Sequence, residues 1–494
     1  MSILQAKGLL MLVRDDLFIG GRWIPGSSGQ YLEVTSPITE QVFGKVPVPT
    51  FAEVDLAVAA AREAFETGPW PRLSVPERAE ALRRVMRAFD KQLDAAIELQ
   101  TDEMGAPESF TGATTRLMSP FLEQVVRDAE QVPLSETRVG TAGPVRVLRE
   151  PLGVAAGVVP WNAPLMVAVT KLFPSLLMGC PMVLKTAPES PLSAYLLAEA
   201  IEAAELPPGV VTLLSGGREI GEYLISHPGI NKVTFTGSTE AGRRIASICG
   251  HQLKPVTCEL GGKSAAILTP GVDIAAHLPT LIAYSLGNAG QMCVATTRLL
   301  VHRDQADDLR DALAAALAGM KVGDPHQPDT AFGPLVAARQ RDRVEAYIAS
   351  GQAEGATLAY GGHRPADLPV GYYVTPTVFT DVRNDMTIAQ EEIFGPVLSV
   401  INYDSEDEAV AIANDSSYGL GGSVYADDPD HALALAARIQ TGTCTVNDGP
   451  PSGGGGPFGG YKDSGLGRER APEGLHHYLQ VKSITLPAGY SGRG

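Results

Sequence analysis

The chain has 494 residues, of which 44% are hydrophobic and 19% charged, and its net charge is −17. That length exceeds what one hydrophobic core organises, so several domains are expected. The balance of 39 Lys and Arg against 56 Asp and Glu, with no basic cluster, argues against nonspecific binding to nucleic acid or to an anionic membrane surface.

Met1 to Asp16 carries an apolar run, GLLMLV, too short for the core of a signal peptide and not followed by a small-residue cleavage site. LFIGGRWIPGSSGQYLEVTSP alternates and turns like a hairpin region. Ala52 to Thr67 and Val75 to Met104 are amphipathic; Leu82, Val85, Met86, Phe89, Leu93 and Ile97 recur at helical spacing and are core positions. Pro151 to Thr170 has no charge, but Pro160, Trp161, Asn162 and Pro164 interrupt it, so it reads as strand plus turn rather than a membrane span.

From residue 150 a regular alternation begins. Strand-like runs at 153–159, 181–185, 210–214, 231–237 and 255–260 enclose helical segments at 168–179, 194–204 and 219–226 and one starting at Thr239. Such alternation predicts βαβ units and a parallel sheet, with ligands at the carboxyl ends of the strands. The pattern resumes after Cys293 with a strand over TTRLLVH and a helix over Gln305 to Met320, which predicts a second α/β domain. The C-terminal HHYLQVKSITL ends in a strand able to join a partner's sheet, and Gly453–Gly456 reads as a flexible loop.

The five cysteines, Cys180, Cys249, Cys258, Cys293 and Cys444, are scattered and include no C-x-x-C. The histidines show no metal-ligand spacing, and His476-His477 reads as a solvated pair. A disulfide framework and a metal site are therefore not expected, and a reducing cytoplasm is.

Five short pieces fall where functional loops belong: PWN (160–162), Lys185, FTGSTEAG (235–242), CELGGKS (258–264) and GQMC (290–293). Singly each has an ordinary explanation. A free cysteine is usually a small buried hydrophobe, Asn162 after Pro-Trp a helix cap, Lys185 a surface lysine, and Gly237 a tight turn. Glu259 between Cys258 and Leu260 is odder, because a carboxylate at an apolar strand end needs a partner or a shifted pKa.

Together, in this order and at this spacing from Glu259 to Cys293, and with EEIFGPV (391–397) and PFGGYKDSGLGRE (457–469), these pieces resemble the NAD(P)-dependent aldehyde dehydrogenase superfamily over nearly the whole chain. The resemblance implies an α/β fold with a Rossmann-like parallel-sheet cofactor domain (1–128 with 152–260), a second α/β catalytic domain (261–463) and a small β extension for oligomerisation (129–151 with 478–494). It implies a homodimer or homotetramer, a small-molecule aldehyde as substrate, and no nucleic-acid or membrane partner.

In the chemistry it implies, Cys293 attacks the aldehyde, and Asn162 and the Cys293 N–H bind the oxyanion. Glu259 activates the water that hydrolyses the thioester, and Lys171 and Glu469 resemble a proton relay. Trp161, Lys185, Gly237, Ser238, Glu392 and Phe394 correspond to cofactor contacts, Lys185 on ribose hydroxyls, Ser238 on the pyrophosphate, and Glu392 and Phe394 on the nicotinamide ribose and ring.

The chain departs from the family pattern in places. Pro188 stands where many NAD-preferring members carry a glutamate on the adenosine ribose, with Glu189 one place later, so NAD is expected and NADP use stays open. Ala163 replaces a common Phe, and Met292 and Val294 flank Cys293. The loop before PFGG, DGPPSGGGG, lacks an aromatic. These changes widen an apolar tunnel and point to a bulky hydrophobic aldehyde, terpenoid or aromatic. A coenzyme A-acylating branch lacks the general base, so Glu259 speaks for hydrolysis. A retired structural relative would have lost the nucleophile or base, and Cys293, Glu259 and Asn162 are all present.

Overall fold

A computed structural model describes residues 11–449, 455–488 and 490. The Gly8–Leu10 part of the N-terminal apolar run and Gly453 and Gly454 lie outside the described residues; Leu12–Val13 forms a short strand beside Gly44 and Lys45.

The first sheet runs, in spatial order, Gly465–Leu466, Val256–Glu259, Lys232–Thr236, Ala155–Val158, Met182–Thr186, Val211–Ser215, Asp16–Ile19 and Arg22–Pro25. Its five inner strands are parallel, and antiparallel edges come from the expected hairpin and from Gly465–Leu466. Alternation within a strand sends Met182 and Leu184 to one apolar layer and Val183 to the other. Both faces are buried, which is why these strands read as near-continuous apolar runs. Chain order reverses between Ala155–Val158 and Lys232–Thr236, the switch point at which the loops leaving two strands diverge and open a crevice.

The second sheet runs Thr357–Tyr360, Thr377–Thr380, Val397–Tyr403, Arg298–His302, Ala265–Leu268, Gly422–Tyr425 and Thr445–Val446, parallel except at its Thr357–Tyr360 edge. Its Ala265–Leu268 strand starts just after CELGGKS, so that motif is the crossing between the two sheets.

Two expectations need correction. The stretch from Val75 to Met104 is not one helix: Val75–Phe89 and Leu93–Met104 are separated by a 3₁₀ turn at Asp90–Gln92. The first starts sharply because Ser74 and Glu77 form a capping box. The C-terminal strand Leu479–Thr485 pairs with Gly143–Pro151 of its own chain, Leu479 opposite Pro151 and Thr485 opposite Val145, and forms one edge of that three-stranded sheet. That hairpin presents a full antiparallel edge close by, and the strand fills it. His477 is not solvated: it is half-buried, its Nε2 accepts from the Arg468 N–H at 3.1 Å, and burial pulls the imidazole down to about 4. No described helix is long and apolar enough to cross a membrane.

A polar latch ties the two halves. His326, before the Thr330–Phe332 strand, lies 2.9 Å from both Asp102 and Glu108, and its side chain is 5% exposed. Burial pulls the imidazole down, but the hydrogen bonds to Asp102 and Glu108 outweigh it and raise it to about 9. A group raised in the folded state from about 6.5 contributes most below that value and loses its contribution as pH rises through 9. His326→Gln should therefore destabilise the protein by about 2 kcal/mol at pH 7, and urea titrations of the two proteins should converge above pH 9.

Candidate active site

Loops at the carboxyl ends of both sheets enclose a cavity of about 620 Å³. Of the residues singled out from the sequence, Trp161, Asn162, Gly237, Ser238, Cys293, Glu392, Phe394 and Glu469 line it; Glu259, Lys171 and Lys185 do not.

Cys293 lies beyond helix Ile274–Leu286, after three consecutive left-handed residues, Asn288 (φ 52°), Ala289 (φ 52°) and Gly290 (φ 72°). Two of these are not glycine, so surrounding contacts must hold the turn. Buried Gln291 does so: its Nε2 donates to the Asn288 carbonyl and its Oε1 accepts from the Val336 N–H, both at 3.1 Å. Asn288 Nδ2 donates to the Asn162 carbonyl, and Asn162 Nδ2 donates to the Gln291 carbonyl at 2.9 Å. The Pro-Trp-Asn loop and the cysteine loop are thus sewn together, and the Asn162 amide keeps one N–H over. Cys293 is half-buried, facing the cavity. Burial, with Glu392 and Glu259 adding to it and Arg470 opposing, pushes its thiol up to about 12.

The glycines of CELGGKS are demanded by this packing. A Cβ on Gly262 would lie 2.5 Å from the Cys293 carbonyl oxygen, and one on Gly261 would lie 2.3 Å from Glu392 Oε2. The Gly262 N–H donates to Glu392 Oε1 at 3.0 Å.

Glu259 is 1% exposed and neither carboxyl oxygen has a hydrogen-bond partner. Burial, joined by the charge of Glu469, holds its carboxyl well above the usual range against the pull of Lys171, Arg468 and Arg470. Close by, Lys171 Nζ donates to Glu469 Oε1 at 2.5 Å and to Thr234 Oγ1 at 3.2 Å, and Thr234 donates to the same carboxyl oxygen at 3.1 Å. Lys171 is fully buried behind the cavity wall, while the Glu469 carboxylate it pairs with reaches the lining.

On the switch-point side, Thr236, Gly237 and Ser238 line the cavity at the start of helix Thr239–His251. Ser238 caps that helix through the Ala241 N–H, while the buried Thr236 Oγ1 has no partner. Free N–H groups at such an end suit phosphate oxygens. Opposite, Phe394 stands edge-on to Trp161 with ring centroids 5.4 Å apart. Its loop is pinned by helix Ala338–Ala353, where Gln340 Nε2 donates to the Phe394 carbonyl at 2.8 Å and Arg343 Nη2 to the Glu392 carbonyl at 2.6 Å. A helix end, an unpartnered hydroxyl, a carboxylate and a facing aromatic pair in one crevice fit a dinucleotide. Lys185 is buried behind it, its Nζ donating to the Thr186 and Gly216 carbonyls at 2.7 and 2.6 Å, and burial lowers the ammonium to about 8. Glu189 is paired with Arg339. Gln340, Arg343 and Arg470 escaped sequence reasoning: the first two are on an unremarkable amphipathic helix far along the chain, and Arg470 follows a recognised motif by one place.

The chain matches the aldehyde dehydrogenase family over residues 23–484. The geranial dehydrogenase of Castellaniella defragrans is 43% identical over 478 residues, covering 95% of this chain and 98% of that one. The structure of a Mycobacterium tuberculosis aldehyde dehydrogenase complexed with NAD+ superposes with a TM-score of 0.94 at 45% identity, covering 98% of this chain and all of that one. A Pseudomonas syringae aldehyde dehydrogenase C mutant, complexed with NAD+ and octanal, superposes with a TM-score of 0.92 at 38% identity over 95% and 96% of the two chains. The chain belongs to the aldehyde dehydrogenase family. It is an α/β enzyme that oxidises aldehydes.

Breaking a buried ion pair leaves an uncompensated charge. Lys171→Met should cost about 3 kcal/mol of stability, and adding Glu469→Gln should restore a large part of it in thermal or urea unfolding.

Proposed function

We propose that this enzyme oxidises bulky hydrophobic aldehydes to carboxylic acids with NAD, through a thioester on Cys293 that water hydrolyses. The observation that carries the reading is a thiol facing a largely apolar cavity beside the Asn162 amide, with a buried, hydrogen-bond-free carboxyl at Glu259 next to it.

Cys293 loses its proton to a neighbouring carboxylate and its Sγ bonds the aldehyde carbon. The oxygen, now an anion, accepts the remaining Asn162 N–H and the Cys293 backbone N–H. A bound nicotinamide supplies the hydride acceptor, and what stays on the protein is the thioester at Sγ. Glu259, unstabilised as an anion by any hydrogen bond, is a strong base for its type. It swings from its place against Gly459 to take a proton from water, whose oxygen attacks the thioester carbon and frees the acid and the thiol. Lys171, Thr234 and Glu469 form the charged cluster against which Glu259 exchanges its proton. Trp161, Gly237, Ser238, Glu392 and Phe394 hold the dinucleotide, with Lys185 behind them. Arg339 neutralises Glu189 and residue 188 is Pro, so NADP is the second cofactor reading.

Ala163, Met292 and Val294 all face the cavity together with Phe110, Met166 and Phe458, leaving room for a large apolar group. The names of the relatives, geranial dehydrogenase and an octanal complex, support the same class. Residues 1–128 with 152–260 form the cofactor domain and 261–463 the catalytic domain. The three-stranded sheet from 129–151 and 478–494 builds a homodimer or homotetramer, supported by exposed Val139, Val481 and Ile484. The unpaired state of all five cysteines supports a cytoplasmic setting.

Cys293→Ala should abolish aldehyde oxidation. Glu259→Gln should still release one equivalent of reduced cofactor in a burst, then turn over about a hundredfold more slowly as the thioester accumulates; stopped-flow absorbance reads both phases. In a substrate panel, kcat/KM should rise by severalfold for each added buried methylene, at about 0.8 kcal/mol apiece, and favour terpenoid and aromatic aldehydes over acetaldehyde.

A further inference from the structure

The reaction above gives no part to Arg470, yet the chain strains to place it. Its backbone is at φ 61°, ψ 172°, a region that is essentially glycine's alone, and Ala471 follows at φ 52°. Glycine at 470 would relax the backbone, so an arginine there signals a use for its side chain. The guanidinium carbon lies 5.0 Å from the Phe458 ring centroid and 5.9 Å from that of Phe121, a clamp that fixes the charge. The residue lines the cavity with Cys293, as does its neighbour Glu469, whose carboxylate is paired with Lys171.

The charges around the thiol are unequal. Glu392 and Glu259 face Cys293 and oppose its ionisation; Arg470 faces Cys293, Glu259 and Glu469 and favours it. Arg343, the other cation on the cavity wall, is engaged on the cofactor side with the Glu392 carbonyl and the Tyr347 hydroxyl. Lys171 is held by Glu469 behind the wall.

We propose that Arg470 is a positioning residue for the nucleophile, a fixed positive charge clamped between Phe121 and Phe458 that favours the Cys293 thiolate against two carboxylates. The proposal rests on the reading of Cys293 as nucleophile.

Alkylation of the whole enzyme in the absence of aldehyde tests it, since carbon bonds to sulfur and iodide leaves only from the thiolate. Neutral iodoacetamide and anionic iodoacetate would be used on the parent, Arg470→Gly, Arg470→Lys and Arg470→Met, with Cys293→Ala as background. Arg470→Gly, relieved of backbone strain, should melt within a few degrees of the parent. It should react at least about fivefold more slowly with both reagents at fixed pH, its rate–pH profile displaced upward, one pKa unit being tenfold. Arg470→Lys should recover most of the rate. An unchanged iodoacetamide rate in folded Arg470→Gly, or equal rates for Arg470→Lys and Arg470→Met should the glycine variant not fold, overturns the proposal. A loss confined to iodoacetate also overturns it, in favour of a site for anionic aldehydes. Parent alkylation no faster than Cys293→Ala would overturn the nucleophile reading itself.

Discussion

The carbonyl of Cys293 passes so close to Gly262 that no side chain fits between them, and on this contact the geometry of the site depends. Residues 258–264 end one sheet and begin the next, so the same few residues carry Glu259, donate the Gly262 N–H to Glu392, and fix the height of the cysteine loop. Any residue larger than glycine at 261 or 262 would push either Glu392 or Cys293 away from the cavity. The two sheets are thereby held in register at the point where the switch-point crevice and the cysteine loop meet, and the crosslinks among Asn162, Asn288 and Gln291 secure the opposite side.

Electrostatics then works within that frame. Two carboxylates, Glu259 and Glu392, face the thiol, and a third, Glu469, acts on Glu259. Burial raises both Glu259 and Glu392, the latter to about 7, so neither is forced to stay charged beside the other. Glu469 differs because Lys171 and Thr234 bond it directly. The result is a graded set: Glu469 committed to an ion pair, Glu392 raised to about 7, and Glu259 held well above the usual carboxylate range. Such grading is what acid–base work demands of residues of the same type. Burial and the two carboxylates also keep the resting Cys293 thiol protonated.

Much of this was legible in the sequence. The parallel sheet showed itself because strands buried on both faces are uninterrupted apolar runs such as PMVLK and VVTLL; the helices expected at 194–204 and 219–226 lie within a residue of their predicted limits, while the one expected at 168–179 begins four residues earlier, at Pro164. The motif residues were legible because glycine, tryptophan–asparagine and a strand-end glutamate are unusual neighbours there. What the sequence concealed depends on distant packing. Nothing local tells that Lys185 turns to the Gly216 carbonyl rather than to the cavity, or that His477 is drawn inward by the Arg468 N–H. The break at Asp90–Gln92 interrupts a helical pattern whose spacing runs on across it, and the pairing of Leu479–Thr485 within its own chain needs the edge offered by Gly143–Pro151.

The distribution of irregularity completes the physical picture. Several helices away from the cavity obey local rules: Thr50 and Ser74 close capping boxes, and Gly105 in the left-handed region ends helix Leu93–Met104. Around the cavity the rules lapse together. Asn288 and Ala289 are left-handed, Phe394 has φ 59°, Arg470 occupies glycine's region, and the Glu259 oxygens and Thr236 Oγ1 are buried without partners. Local and global preferences agree over most of a natural fold, and their disagreement is tolerated where function requires a geometry the backbone would not choose. Two doubly covered sheets supply the stability that offsets this cost.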